Sequence, residues 1–124
     1  MKRILLVAVV LVLAVPASAF ARRALTGSAK DPLVGAALGR QVPRQCAAVY
    51  ISSLSRFWGS VSFAPTKGWA SRCQPFGSNG LVVLHHTRGR WRIATAGSSI
   101  MCPVPRTPVR IAQDLRIPCN QPVS

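Results

Sequence analysis

The densest group of side chains able to do chemistry lies between His85 and Arg92, where Arg88, Arg90 and Arg92 alternate beside the pair His85-His86. Guanidinium groups are fixed forks of donors that grip carboxylate, sulfate or phosphate oxygens. Arg88, Arg90, Arg92 and His85 therefore form the candidate anion-binding set. The two histidines could instead suggest a small nuclease, which needs a general base and a general acid on either side of one phosphate. Neighbours in a strand project to opposite faces, however, so these two cannot easily share a substrate. Carboxylate chemistry is nearly excluded by counting, because Asp31 and Asp114 are the only acids in the chain. Glycoside hydrolysis wants a pair of carboxylates and hard cations want a cluster of them. No catalytic residue, cofactor or metal is expected. Trp58, Trp69, Trp91, Tyr50 and Phe63 could form a stacking platform among the arginines, but in a small domain aromatic residues mostly fill the core.

The cysteines Cys46, Cys73, Cys102 and Cys119 contain no C-x-x-C pair of the kind zinc sites favour. An even count reads as a disulfide framework if the chain is exported, and four cysteines allow three connectivities. Export is what the N-terminus announces: Lys2 and Arg3, an unbroken apolar run from Ile4 to Val15, then Pro16 and Ala17-Ser18-Ala19. These are the charged, apolar and cleavage regions of a signal peptide, with cleavage expected after Ala19 and Ala21 as second choice. The run is far shorter than the roughly 20 residues of a membrane-spanning helix, so no transmembrane segment is expected after cleavage. The remainder suffices for one domain with a modest core. The chain carries 16 Lys plus Arg against 2 acids, and 13 of the 16 are Arg. Such a field attracts polyanions and membrane surfaces. The richness in Ala, Arg, Gly, Pro and Val also fits a GC-rich genome, so charge alone does not name a partner.

These side chains must be positioned by few elements. Residues 20–45 mix Arg, Gly, Ala and Pro without period and read as a flexible basic arm, in which Asp31-Pro32 could start a marginal helix weakened by Gly35 and Gly39. Residues 46–124 form the domain. Strands are expected over Ala48–Ser53 and Phe57–Phe63, followed by a loop to Gly80. The clearest element is a hairpin, Leu81–Thr87 with Arg90–Ala96 around Arg88-Gly89. That loop sets Thr87 opposite Arg90, His86 opposite Trp91, His85 opposite Arg92 and Leu84 opposite Ile93. One face then carries Val82, Leu84, His86, Trp91 and Ile93 as a core face. The other carries Leu81, Val83, His85, Arg90 and Arg92 and is amphipathic. Thr107 as N-cap and Pro108 at N1 open a C-terminal helix to about Arg116, with Ile111, Ala112 and Leu115 on one stripe and Arg110 four before Asp114. Cys102 and Cys119 flank that helix and are expected to pair, which leaves Cys46 with Cys73.

The run Gly89-Arg90-Trp91-Arg92-Ile93, then Gly97-Ser98-Ser99, Cys102-Pro103, Pro105, and Asp114-Leu115-Arg116-Ile117 with Cys119, resembles a group of small uncharacterised secreted bacterial proteins. The resemblance spans roughly residues 58–119 and implies a fold and export, without an activity. The expectation is an α+β domain with a small, mostly antiparallel sheet of about four strands, one C-terminal helix and two disulfides. Its expected role is that of a secreted, extracytoplasmic, non-enzymatic module for anionic polymers of the cell envelope or for nucleic acid. A secreted protease inhibitor presenting the loop Gly68 to Gly80, and a small secreted nuclease, are the alternatives.

Overall fold

A computed structural model describes residues 22–77 and 80–118. The expected signal peptide and Cys119 lie outside the described residues. Five strands form one antiparallel sheet in sequence order: β1 (Arg23–Ala24), β2 (Ala47–Ile51), β3 (Trp58–Phe63), β4 (Leu81–Thr87) and β5 (Arg90–Gly97). Among the described residues three α-helices accompany them: α1 (Asp31–Leu38), α2 (Ala70–Cys73) and α3 (Val109–Asp114). The α+β class and the antiparallel sheet match the sequence reading. The counts change, to five strands and to more than one helix.

The pleat explains why the sheet is covered on both sides. Val82 and Leu84 project to one face and join Val49, Ile51 and Val61 beneath Leu33 and Val34 of α1. Val83, between them, projects to the other face and meets Ile111, Ala112 and Leu115 of the α3 segment, with Ile100, Val104 and Ile117. The face expected to be amphipathic is thus a second core at Leu81 and Val83, because the proline-rich stretch after β5 folds back across it. It stays open only toward Arg90 and Arg92, which are exposed.

The segment read as a flexible arm is instead a structural layer. Arg23 and Ala24 pair with Ile51 and Tyr50, and the Leu25 amide donates to the Val49 carbonyl at 2.9 Å. Leu33 and Val34 are buried, and their apolar area outweighs the weak helix propensity that the glycines confer. Gly39, at φ +103, lies beyond L-residue comfort and ends α1. Arg22 reaches across the molecule: its Nη1 donates to the Leu115 carbonyl at 3.0 Å while its guanidinium lies 3.7 Å above the Tyr50 ring. It therefore caps the C-terminal end of α3, where a cation is favoured.

Close approach of α1 to the sheet depends on Gly59. A Cβ there would sit 2.8 Å from Leu33 Cδ2 and 2.9 Å from the Tyr50 carbonyl oxygen. The disulfide Cys46–Cys73 ties the start of β2 to α2 and is fully buried. It is the expected pairing. The second expected bridge, Cys102–Cys119, includes a residue outside the described ones.

The C-terminal helix is shorter than the sequence suggests, Val109–Asp114, and Thr107 does not cap it. The Thr107 hydroxyl donates instead to the Pro105 carbonyl at 3.0 Å. At its far end Arg116 sits at φ 56. Ile117 N–H reaches the Ala112 carbonyl and Arg116 N–H that of Gln113, a Schellman closure with arginine where glycine is usual.

Candidate anion-binding end of the sheet

In an antiparallel meander alternate connections emerge at the same end, so the β2–β3 loop and the β4–β5 hairpin share one. The hairpin has the register expected from its sequence: Thr87 faces Arg90, His86 faces Trp91, His85 faces Arg92 and Leu84 faces Ile93. Arg88 and Gly89 turn it with φ of 50° and 78°. Both central residues have positive φ, as the preferred type I′ hairpin turn demands. A bulge follows. Leu84 pairs with Ile93 but Val83 with Thr95, leaving Ala94 as the extra residue. That irregularity on an edge strand leaves Ile93 half exposed, where a buried core residue was expected.

Each face of this end carries a row of rings across the strands. On the α3 face the His85 imidazole stacks on Trp58, with centroids 3.9 Å apart and planes 9° from parallel, and Arg92 pairs with His85 on the next strand. On the α1 face His86 meets Trp91 edge-on at 5.1 Å, and Phe57 lies 6.1 Å away on its other side. Arg56 completes that row, its guanidinium 5.1 Å from the Phe57 ring centroid. The two imidazoles thus occupy opposite sides of the sheet, as strand alternation requires. Of the sequence-derived anion set, Arg90, Arg92 and His85 share a face, and Arg88 stands at the tip between the two. The aromatic residues are divided rather than gathered into one platform, and Trp69 lies elsewhere under Arg72.

Sequence reading missed two contributors, Arg40 and Arg56. An open cleft of about 690 Å³ lies between α1 and the hairpin, lined by Asp31, Gly35, Arg40, His86, Arg90 and Trp91, among others. Arg40 enters this site only because α1 docks, which no local pattern disclosed. Arg56 was open to sequence reading from its place beside Phe57 in a short connection.

Both acids are engaged nearby. Asp31 Oδ2 accepts from Arg44 Nη2 at 2.9 Å, an ion pair about half exposed. Burial and the neighbouring Arg44 hold the Lys30 ammonium below its ordinary value, with Asp31 pulling the other way. Asp114 was expected to pair with Arg110 along α3. It instead clamps the β2–β3 loop: Oδ2 accepts from Ser52 Oγ at 2.7 Å and from Ser53 N–H at 2.7 Å, and Oδ1 from Ser53 Oγ at 2.6 Å. Burial pushes the Asp114 carboxyl up, but the hydrogen bonds from Ser53 and Ser52 prevail and hold it below the usual carboxylate value.

Among the described residues no three His, Cys, Asp or Glu side chains converge as a metal site would require, and no helix is long and apolar enough to cross a membrane. The loop from Gly68 onward, the candidate inhibitory segment, is coiled into α2 and a following 3-10 turn over Gln74–Phe76. Comparison of the chain with protein-family models, with curated proteins and with solved structures finds no match in any of the three.

Proposed function

We propose that this chain is a secreted, non-enzymatic module that holds to anionic polymers of the cell envelope through the arginine-bearing end of its sheet. One observation carries the reading: the hairpin holds Arg88, Arg90 and Arg92 exposed within one turn of chain, with no carboxylate in either strand. Arg88 strengthens it. A left-handed conformation costs an L-residue about 1–2 kcal/mol, and Gly or Asn would occupy that turn position more stably. Arg88 therefore holds its charge at the tip at some cost in stability, as Arg106 and Arg116 do at their own turns.

Export belongs to the same reading. The apolar leader at 1–19 and the buried Cys46–Cys73 disulfide both suit an oxidising compartment outside the cytoplasm.

The test compares two triple variants on immobilised heparin and on anionic cell-wall polymer. Arg88→Glu, Arg90→Glu and Arg92→Glu together should elute at much lower salt than wild type. Arg72→Glu, Arg106→Glu and Arg110→Glu carry the same change in charge at scattered exposed sites and should elute closer to it. Equal loss from both sets would leave only the overall field and overturn the assignment.

A further inference from the structure

The β2–β3 loop sets apolar side chains among the cations. Leu54 is 55% exposed and Phe57 44% exposed; among the described residues Ile93, Met101 and Val109 are exposed to a similar degree but stand outside this loop. They flank Arg56, and the ring row from Phe57 through His86 ties this loop to the hairpin that carries Arg88 and Arg90. The loop is also held in shape. Besides the Asp114 clamp, the Leu54 amide donates to Ser52 Oγ at 3.1 Å and the Phe57 amide to Ser55 Oγ at 3.3 Å. The Trp58 amide closes the turn on the Ser55 carbonyl at 3.2 Å. Ordering costs of presenting Leu54 and Phe57 are thus met within the fold.

We propose that this end of the molecule docks on the surface of an anionic lipid bilayer, with Leu54 and Phe57 entering the headgroup–acyl boundary while Arg56, Arg88 and Arg90 contact lipid phosphates. The inference rests on the anion-binding reading and specifies its partner. Two features favour a bilayer over a protein. Stable protein interfaces cover roughly 1,200–2,000 Å² around an apolar centre, and two separated apolar side chains among arginines do not supply such a centre. Shallow insertion asks for what is present: a few apolar groups at the tip and cations beside them at headgroup depth. Charge completes the match. Arg56, Arg88, Arg90 and Arg92 lie at this end and Arg40 lines the cleft beside it, while Asp31 is already paired with Arg44 and Asp114 is bonded to the serines.

The experiment measures binding of the processed chain to phosphatidylcholine vesicles with and without phosphatidylglycerol, beside retention on heparin. Wild type should bind only the vesicles containing phosphatidylglycerol. Leu54→Ser with Phe57→Ser should lower that binding about tenfold, from the apolar area withdrawn from the boundary, and leave heparin retention unchanged. Arg56→Gln should lower vesicle affinity about fivefold, the worth of one cation at such a surface. Leu54 and Phe57 are exposed, so their variant should keep the wild-type melting curve. Vesicle binding unaffected by the double serine variant would overturn the insertion. Retention on heparin without any vesicle binding would overturn this inference and leave the polymer reading standing. Failure on both supports would overturn both.

Discussion

Asp114→Asn removes one charge and almost no volume from the clamp that joins α3 to the β2–β3 loop. In the wild type the carboxylate accepts three short hydrogen bonds, from Ser52 Oγ, Ser53 N–H and Ser53 Oγ. Bonds to an ionised acceptor contribute about 1.5–3 kcal/mol each against about 1 kcal/mol for neutral ones. The site is partly exposed, so the low end applies. Asparagine retains one carbonyl, which can serve two of the donors at neutral strength, and it faces the third with an amide. The expected loss is about 2.5 kcal/mol at pH 7, or a fall in Tm of roughly 10–20 °C for a domain of this size. Urea unfolding followed by tryptophan emission measures it.

The pH dependence makes this prediction sharper. The folded Asp114 carboxyl titrates below its ordinary value of 3.8. A depressed carboxyl pKa means that the unfolded chain binds the proton first as pH falls, so the stabilisation is complete above the unfolded value and disappears as pH drops through the folded one. The gap between wild type and Asp114→Asn should therefore be full at pH 7 and close well below 3.8. A gap of the same size at both ends would show that the charge of the carboxylate is not what holds the loop, and the reasoning would be refuted.

Four further outcomes follow from single contacts. Gly59→Ala should cost about 1–3 kcal/mol by chemical denaturation, because the new methyl meets the Tyr50 backbone carbonyl, which cannot swing aside. Cys46→Ser with Cys73→Ser should destabilise by about 3.5 kcal/mol on the loop-entropy estimate for a separation of 27 residues; differential scanning calorimetry under non-reducing conditions would read it. Arg88→Gly should raise Tm by a few degrees, since glycine accepts the φ of 50° without strain, yet lower retention on heparin; a loss of both would remove the argument that the turn trades stability for charge. Lys30→Met should relieve a buried ammonium. Its folded pKa lies below the unfolded one, so wild-type stability rises as pH climbs through the folded value, and pH titration of unfolding should show that rise flattened in the variant.

The hairpin was legible in the sequence because both determinants are local. Alternation fixes which residues share a face, and a two-residue turn fixes the register, so the four pairs from Thr87–Arg90 to Leu84–Ile93 follow without tertiary information. The Cys46–Cys73 bridge follows from the sequence only indirectly, by elimination once Cys102 and Cys119 are expected to pair across the helix between them. The arm was misread for the opposite reason. Leu33 and Val34 are the two buried apolar side chains in the described part of a glycine-interrupted stretch, too few to show a period. Their value appears only when the sheet offers a groove at Gly59 in which they fit.

The candidate site divides along the same line. Arg88, Arg90, Arg92 and His85 were visible because they lie within eight residues of one another and alternate. Arg40, Arg56 and the Asp114 clamp come from three other segments, and each is placed by a tertiary contact. Asp114 shows why a local rule failed: Arg110 stands four residues earlier, the spacing for a helical ion pair, but an exposed pair of that kind contributes only a few tenths of a kcal/mol. Two serines and a backbone amide presented together by the β2–β3 loop offer the carboxylate several times that stabilisation. The stronger, nonlocal partners therefore win. In doing so they fix the loop that carries Leu54, Arg56 and Phe57, so the acid that sequence reading assigned to a helix surface shapes the end of the sheet on which binding is proposed to depend.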